Sequence, residues 1–540
     1  MLSTPWRADR HQHDRGRRPG GRRPGGRRPG VRGAGLAVLL LGFAALTGWA
    51  VAATTEIASV AERVTPSPTR APVPQASGPA RPNIVFVLTD DLSTDLVNYM
   101  PQVQALQARG LTFTDYFVSD SLCCPSRASI FTGNFPHDTG VFSNVGADGG
   151  FNVFHARGEE QSTFNVALQL AGYRTAMMGK YLNGYLGGPL ESPVAPTYVP
   201  PGWSEWDVAG WGYPEYNYQL NENGTLHYYG HRSRDYLTDV LARKGVEFID
   251  TSAQSGQPFF LEVATFAPHR PYTPALRDAH LFPGLKAPRP ASFDVLPTHP
   301  PRWLARHPAL TRKRIRRIDR VFRRRAQSVQ AVDHLIARIE AALAARHLLS
   351  NTYIVFSSDN GLHTGEYRLL PGKLTAFDTD IRVPLVVTGP GVPAGMTTSA
   401  MAENVDLAKT FTAMGGTTLA GDGHSLMGLL EGQTPTGWRN AILVEHHGPT
   451  AGAADPDAQT GTSGNPTTYE AMRTHRFLYV EYADGEREFY DLENDPEELH
   501  NIAGSLTRTQ LTTLHTELSA IENCHTGTDC WAAMHVDGNA

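Results

Sequence analysis

The sequence predicts an α/β protein built on a large, mostly parallel mixed sheet flanked by helices. Three observations carry that expectation. Four short, continuous apolar runs, Asn83–Thr89, 172–178, 259–266 and 352–357, read as strands buried on both faces. Helical patterns lie between them, over 164–171, 235–249 and 329–349, and strands alternating with helices argue for parallel pairing. Each run then ends in polar residues: Asp90-Asp91, Gly179-Lys180, Ala267-Pro268-His269 and Ser358-Asp359-Asn360. In open α/β sheets ligands bind beyond the carboxyl ends of the strands, so these four ends are expected to converge on one site.

The chain has 540 residues, enough for a large core and more than one subdomain. Its formal net charge of -5 is unevenly placed, because residues 1–32 hold ten arginines against only Asp9 and Asp14. The rest is therefore markedly acidic, which argues against nucleic acid as a partner. The R-P-G-G repeats near the start are low-complexity, and residues 33–53 follow as one uncharged apolar run long enough to span a bilayer. Ala50-Val51-Ala52 fits a small-residue cleavage site. The segment reads either as a cleaved signal peptide or as an uncleaved membrane tether, and both place the body outside the cytoplasm, secreted or at the cell surface. Residues 54–80, with P-S-P-T-R-A-P-V-P, read as a disordered linker. The expected organisation is 1–53 targeting segment, 54–80 linker, 81–415 catalytic domain and 416–540 C-terminal subdomain.

Export makes the four cysteines informative. Cys524 and Cys530 enclose the short loop C-H-T-G-T-D-C and are expected to pair with each other. Cys123 and Cys124 are neighbours, and a bond between them would be strained. They are either two thiols, buried as small hydrophobes, or a site where one is chemically altered. The strand ends supply the surroundings. Asp90, Asp91 and Asp359 with Asn360 form a hard, oxygen-rich donor set that favours calcium, or magnesium, over zinc. Lys180 is a candidate anion ligand. Asp90 has a plainer reading as a helix cap, and a lysine at a sheet edge is ordinarily just solvated.

With these segments assembled, the chain resembles the type I sulfatases of the alkaline-phosphatase-like superfamily. The resemblance rests on R-P-N-I-V-F-V-L-T-D-D, C-C-P-S-R-A-S-I-F-T-G, G-Y-R-T-A-M-M-G-K and S-D-N-G, and covers about residues 81–505. G-K-Y-L-N-G-Y, P-G-W-S-E-W, Y-N-Y-Q-L-N-E-N-G, D-Y-L-T-D-V-L and S-D-N-G-L-H-T-G-E-Y look like the N-acetylglucosamine-6-sulfatases and the extracellular heparan 6-O-endosulfatases. The resemblance implies an alkaline-phosphatase-like fold and hydrolysis of a sulfate ester, most plausibly a 6-O-sulfated amino sugar or related glycan. It implies that a formylglycine-generating enzyme oxidises Cys123 to an aldehyde. One hydroxyl of the aldehyde hydrate then attacks sulfur in line, and the other expels sulfate. Asp90, Asp91, Asp359 and Asn360 would hold calcium together with the modified residue 123. Arg127 would steady the hydrate, Lys180 and Lys373 would grip the sulfate oxygens, and His269 would protonate the leaving oxygen. Two departures stand out. Many sulfatases carry G-K-W-H where this chain has G-K-Y-L-N, which leaves the base for sulfate release open, with Asn183 and His363 as candidate substrate contacts. Asn134 also replaces the basic residue that often follows T-G in the maturation motif.

Other readings compete. An arylsulfatase, or a phosphodiesterase or phosphonate hydrolase of the same superfamily, would share much of this machinery, and a non-catalytic glycan binder would leave Cys123 unconverted. The segment 312–325 packs nine basic residues into one amphipathic helix, either a solvated face or a docking strip for a sulfated polymer. Residues 448–468 read as a surface loop. The segments 477–482 and 488–492 straddle a hairpin signal, and D-P-E-E-L-H-N-I-A is expected to open a C-terminal helix beyond a small antiparallel sheet.

Overall fold

A computed structural model describes residues 81–187, 192–433, 435–449, 455 and 457–537. The expected targeting segment and linker lie outside the described residues. Among the described helices none is long and apolar enough to cross a membrane.

Ten strands form the main sheet, in the order Met396–Thr398, Leu111–Phe113, Leu385–Thr388, Thr352–Ser358, Asn83–Thr89, Phe259–Ala264, Arg174–Lys180, Glu205–Ala209, Tyr218–Glu222, Thr225–Tyr229. The run from Thr352–Ser358 to Glu205–Ala209 is parallel throughout, while the outer strands are mostly antiparallel. Asn83–Thr89 sits in the middle with every residue buried, as its uninterrupted apolar sequence requires. Its side chains alternate between two cores. Ile84, Phe86 and Leu88 meet Phe131, Phe164 and Phe411 on one face. Val85 and Val87 meet Leu241, Phe248, Val329 and Leu335 on the other. The first core is aromatic at its centre, with Phe86 and Phe411 ring centroids 5.0 Å apart and Phe164 and Phe260 4.9 Å apart.

The register fixes where the strands end. Thr89 lies beside Ser358, Leu88 beside Ala264, and Gly179 beside Ala264 from the other side. Asp90, Asp359, Lys180 and the turn after 264 therefore emerge along one edge. Four further strands, Ala441–His446, Tyr469–Thr474, Phe477–Tyr482 and Arg487–Asp491, make the separate antiparallel C-terminal sheet. The helix Arg508–Glu522 covers it through Leu514, Leu518 and Ile521. A disulfide joins Cys524 to Cys530.

Three local expectations are corrected. The basic stretch and the apolar pattern after it are one 34-residue helix, Arg312–Ala345, because Ile318, Phe322, Val329, Val332, Ile336 and Ile339 form one continuous buried stripe. D-P-E-E-L-H-N-I-A does not open a helix. The Asp495 carboxylate accepts from the backbone N–H groups of Leu499 and His500, and the Thr298 N–H donates to the Leu499 carbonyl, which draws the segment out along Thr298. The helix starts only at Thr507, whose hydroxyl and Gln510 form a capping box. The 448–468 segment, finally, is no mere surface loop: its described residues Asp455, Asp457 and Ser463 are buried.

One contact between the two parts titrates. His137 places Nδ1 2.9 Å from the Glu445 carboxylate and Nε2 2.7 Å from the Cys524 carbonyl. Both nitrogens face acceptors, so the protonated ring satisfies both. Burial opposes the charge, but the bond to Glu445 outweighs it and raises His137 from 6.5 to about 9. A pKa raised on folding stabilises below the unfolded value and ceases to do so as pH rises through the folded one. His137→Asn is therefore expected to lower stability most near pH 6. The gap from the wild type should close between about pH 6.5 and 9 in urea-unfolding series, and an equal gap at both ends would refute this account.

Candidate active site

The helix Cys123–Thr132 begins at the strand-end edge, so Cys123 stands in its first turn with the free backbone N–H groups. Asp90 reaches it from the central strand, with Oδ1 3.1 Å from the sulfur. The Lys373 ammonium lies 2.9 Å from the same sulfur. The other Asp90 oxygen holds Lys180 at 2.6 Å. Lys180 can arrive there because Gly179 precedes it. A Cβ at Gly179 would sit 1.9 Å from the Ala264 carbonyl oxygen of the neighbouring strand, so no other residue fits.

Asp91 takes a left-handed conformation, φ 62°, directly after Asp90. Its Oδ1 accepts from Lys373 at 2.6 Å and from the Asn360 amide at 2.8 Å. Asp359 pairs with the Arg127 guanidinium at 2.8 Å and also accepts from the Asp91 N–H at 3.2 Å. Arg127 further donates to the Lys180 carbonyl at 2.9 Å, and its Nη2 is buried with no protein partner. His269 lies with Nε2 3.6 Å from Asp91 and Nδ1 2.7 Å from the Arg270 carbonyl. The structure thus brings Asp90, Asp91, Cys123, Arg127, Lys180, His269, Asp359, Asn360 and Lys373 into one buried cluster.

Two candidates fall elsewhere in role. His363 is fully buried, with Nδ1 3.0 Å from both Asp380 oxygens and Nε2 3.2 Å from the Ser463 carbonyl. Burial opposes its charge, but Asp380 outweighs burial and raises it. With both nitrogens turned to acceptors it has no lone pair to take a proton. Asn183 is buried too; its amide donates to the Tyr213 hydroxyl at 3.3 Å. It stands one residue layer from the lysine, since Lys180 lies 5.1 Å over the Tyr213 ring.

The residue that sequence reasoning missed is Asp457. Its Oδ1 lies 2.5 Å from His269 Nε2 and 2.9 Å from Lys373 Nζ, and its Oδ2 accepts from the Asn144 amide at 2.9 Å. Asn144 in turn accepts from the Cys124 backbone N–H at 3.0 Å. The only signal was a pair of acidic residues within a Gly-, Ala- and Thr-rich stretch. Tyr213, 4.5 Å from the His269 ring, was missed as well.

The charges explain one another. Burial, joined by Asp359, Asp457 and Asp90, pushes the Cys123 thiol well above its ordinary value, so an unmodified cysteine there is neutral and a poor nucleophile. Burial likewise raises Cys124, to about 12. For Lys180 and Lys373 burial works against the charge, yet the neighbouring carboxylates hold both ammoniums well above the usual lysine range. Burial also opposes charge on His269, and Asp457, Asp91 and Asp90 overcome it. Atoms of Asp90, Asp91, Cys123 and His269 lie within 4.8 Å of one another, close enough to share one cation. With Asp359 and Asn360 the donors are mostly oxygens, which fits a hard divalent metal. A cavity of about 260 Å³ opens onto Asp91, His269 and Asp457. A larger cleft of about 990 Å³ lies among Asn134, Lys409 and Trp531 and holds none of these groups, so the smaller one is the site.

Fold and site together suit a hydrolase of anionic esters. A family profile described as Sulfatase matches residues 82–417, and one described as N-sulphoglucosamine sulphohydrolase, C-terminal, matches 365–523. The chain belongs to the sulfatase family. It is 35% identical over 478 residues to the N-acetylglucosamine-6-sulfatase of Homo sapiens, covering 83% of this chain and 86% of that protein. It is 34% identical over 380 residues to the extracellular sulfatase SULF-1 homolog of Drosophila melanogaster, covering 68% of this chain and 33% of that one. A protein solved in complex with its substrate D-glucosamine-2-N,6-O-disulfate shares the fold, with a TM-score of 0.69 and 24% identity over 85% of this chain and all of the other.

Arg127→Met would leave the Asp359 carboxylate buried without its partner. The expected loss is about 3–5 kcal/mol of unfolding free energy in the presence of a chelator. A saturating divalent cation should shrink that loss. Equal losses with chelator and with the cation would show that Asp359 does not share a metal.

Proposed function

We propose that the protein releases the 6-O-sulfate of N-acetylglucosamine or of a related sulfated glycan, with formylglycine at position 123 and calcium held by Asp90, Asp91, Asp359 and Asn360. One observation carries this reading: Asp90 contacts both Cys123 and Lys180, while Lys373 contacts both Cys123 and Asp91. A reactive atom at position 123 is thereby flanked by two cations suited to an anionic ester. The choice of sugar is supported by the 35% identity to the human N-acetylglucosamine-6-sulfatase. Export into the oxidising environment that a formylglycine-generating enzyme and a disulfide require is part of the same proposal.

The bound calcium would supply positive charge against which a hydroxyl at position 123 ionises more readily. An aldehyde hydrate there supplies two hydroxyls, one to bond to sulfur as the ester oxygen leaves and one to lose its proton as the carbonyl re-forms and sulfate departs. The chain's own side chains do the remainder. Lys180 and Lys373 donate to the sulfate oxygens, where negative charge is redistributed at the transition state. Arg127, fixed by Asp359 and the Lys180 carbonyl, keeps a free buried N–H to hold the residue 123 oxygen. His269 gives its Nε2 proton to the leaving sugar oxygen; that N–H is held by Asp457 Oδ1 at 2.5 Å before substrate binds, so the ester oxygen takes over this bond as it leaves, and the Asp457 charge beside the ring keeps it protonated. The Arg270 carbonyl at Nδ1 fixes which nitrogen faces the substrate.

The test is the mass of the tryptic peptide 110–127 from protein made with a formylglycine-generating enzyme, paired with sulfate release from N-acetylglucosamine 6-sulfate. An aldehyde at Cys123 together with release is expected. An intact thiol, where the enzyme converts a control peptide, overturns the mechanism. An aldehyde with turnover of aryl sulfates, phosphodiesters or phosphonates but not of the sugar sulfate overturns the substrate.

A further inference from the structure

The long helix Arg312–Ala345 does more than cover the sheet, because its N-terminal third runs to the mouth of the catalytic cavity. Arg317 and Val321 line that cavity together with Asp91, His269 and Tyr272. Gln459 and Thr462 line the same cavity.

The charge on this stretch is uncompensated. Eight cations lie between Arg312 and Arg324, and among the described residues none of them forms an ion pair with a carboxylate. The one acid in the stretch, Asp319, is taken instead by Arg289, which comes from another segment. Lys313, Arg317, Arg320 and Arg324 recur at helical spacing and make one exposed stripe, about 16 Å long. A fully buried arginine, Arg325, belongs to the other face and donates to the Asp91 carbonyl. On a protein of net charge -5, an unpaired basic stripe with one member, Arg317, in the lining of an anion-processing cavity is a ready surface for further anions.

We infer that Arg317 is a subsite for a second anionic group of the substrate, a sulfate or carboxylate beyond the 6-O-sulfate that is cleaved, and that the stripe behind it carries the rest of a polyanionic sugar chain. This rests on the reading of the substrate as a sulfated glycan and sharpens it: the preferred substrate bears several negative charges. A planar guanidinium suits such a role, since it can bond two oxygens of a sulfate or carboxylate at once.

The test compares two substrates with wild type, Arg317→Gln and Arg317→Lys, all with Cys123 converted. One substrate is N-acetylglucosamine 6-sulfate, and the other is a disaccharide of a uronic acid and 2-N,6-O-disulfated glucosamine. In Arg317→Gln the KM for the disaccharide relative to the monosaccharide should rise about tenfold, the size of one charge-assisted bond. Arg317→Lys should recover part of it, and the salt dependence of kcat/KM for the disaccharide should flatten in the glutamine variant. An unchanged KM ratio in Arg317→Gln, or an equal rise for both substrates, overturns the subsite while leaving the proposed function standing. A wild-type enzyme that cleaves aryl sulfates but neither sugar removes the reading on which the subsite rests.

Discussion

The constraint on which this structure depends is the burial of carboxylates. Asp90, Asp91 and Asp359 are each at most 3% exposed, side by side at the end of an apolar sheet. Carboxylates in such a place are stable only where cations and donors meet each oxygen. The surrounding chain is arranged to provide them. Arg127 comes from the helix that starts at Cys123, Lys180 from the strand next but one to Asn83–Thr89, brought close to Phe259–Ala264 by Gly179, and Lys373 from the loop after the strand Thr352–Ser358. The long helix adds Arg325 against the Asp91 carbonyl, which helps hold a backbone that would otherwise avoid φ 62°. The requirement for paired charge thus selects strand register, helix placement and loop path together.

The C-terminal part belongs to this arrangement. The Glu445 N–H donates to the Ser119 carbonyl, just before the Cys123 helix, at 2.8 Å. The Tyr469 hydroxyl donates to the Leu374 carbonyl, beside Lys373, at 3.0 Å. Between those strands the chain contributes Asp457, which touches His269 and Lys373 directly. The antiparallel sheet therefore anchors both segments that flank position 123, and the connection between two of its strands carries a carboxylate of the candidate site. His269, held between Asp457 and the Arg270 carbonyl, has its orientation set by both parts of the chain.

The central strands were legible because a parallel strand buried on both faces must be apolar along its whole length, and Asn83–Thr89 is. The chemistry at their ends was legible because the topology of such sheets gathers strand ends in one place. Lys373 and the proposed conversion of Cys123 came only through family resemblance, since nothing local distinguishes that lysine from a surface one. Asp457 was illegible for a related reason: its partners are set by tertiary contacts, and the residues around it carry no periodicity. The helix boundary near 325–329 was misread because Arg325 interrupts the apolar stripe, although its charge is spent on a buried carbonyl. The segment 495–503 looked like a helix start because Asp495 with acids behind it imitates a cap. The Asp495 carboxylate does accept backbone N–H groups, but in a turn pulled open by pairing with Thr298.

The same charges decide what the pocket can bind. Asp90, Asp91, Asp359 and Asp457 face Arg127, Lys180, Lys373 and a His269 raised by its neighbours. Within this inner cluster four negative charges meet four positive ones, so the cluster by itself offers little net attraction for a sulfate ester, however well its oxygens fit the two ammoniums. A divalent cation on the Asp90, Asp91, Asp359 and Asn360 oxygens would turn that balance positive and would take over carboxylate oxygens that the lysines now satisfy. Lys180 and Lys373 could then direct more of their N–H groups to substrate. On this account the metal's first service would be to strengthen the inner cluster's attraction for an anion, with its effect on the reacting oxygen second. Sulfate-ester binding should then depend on the metal even when position 123 cannot react.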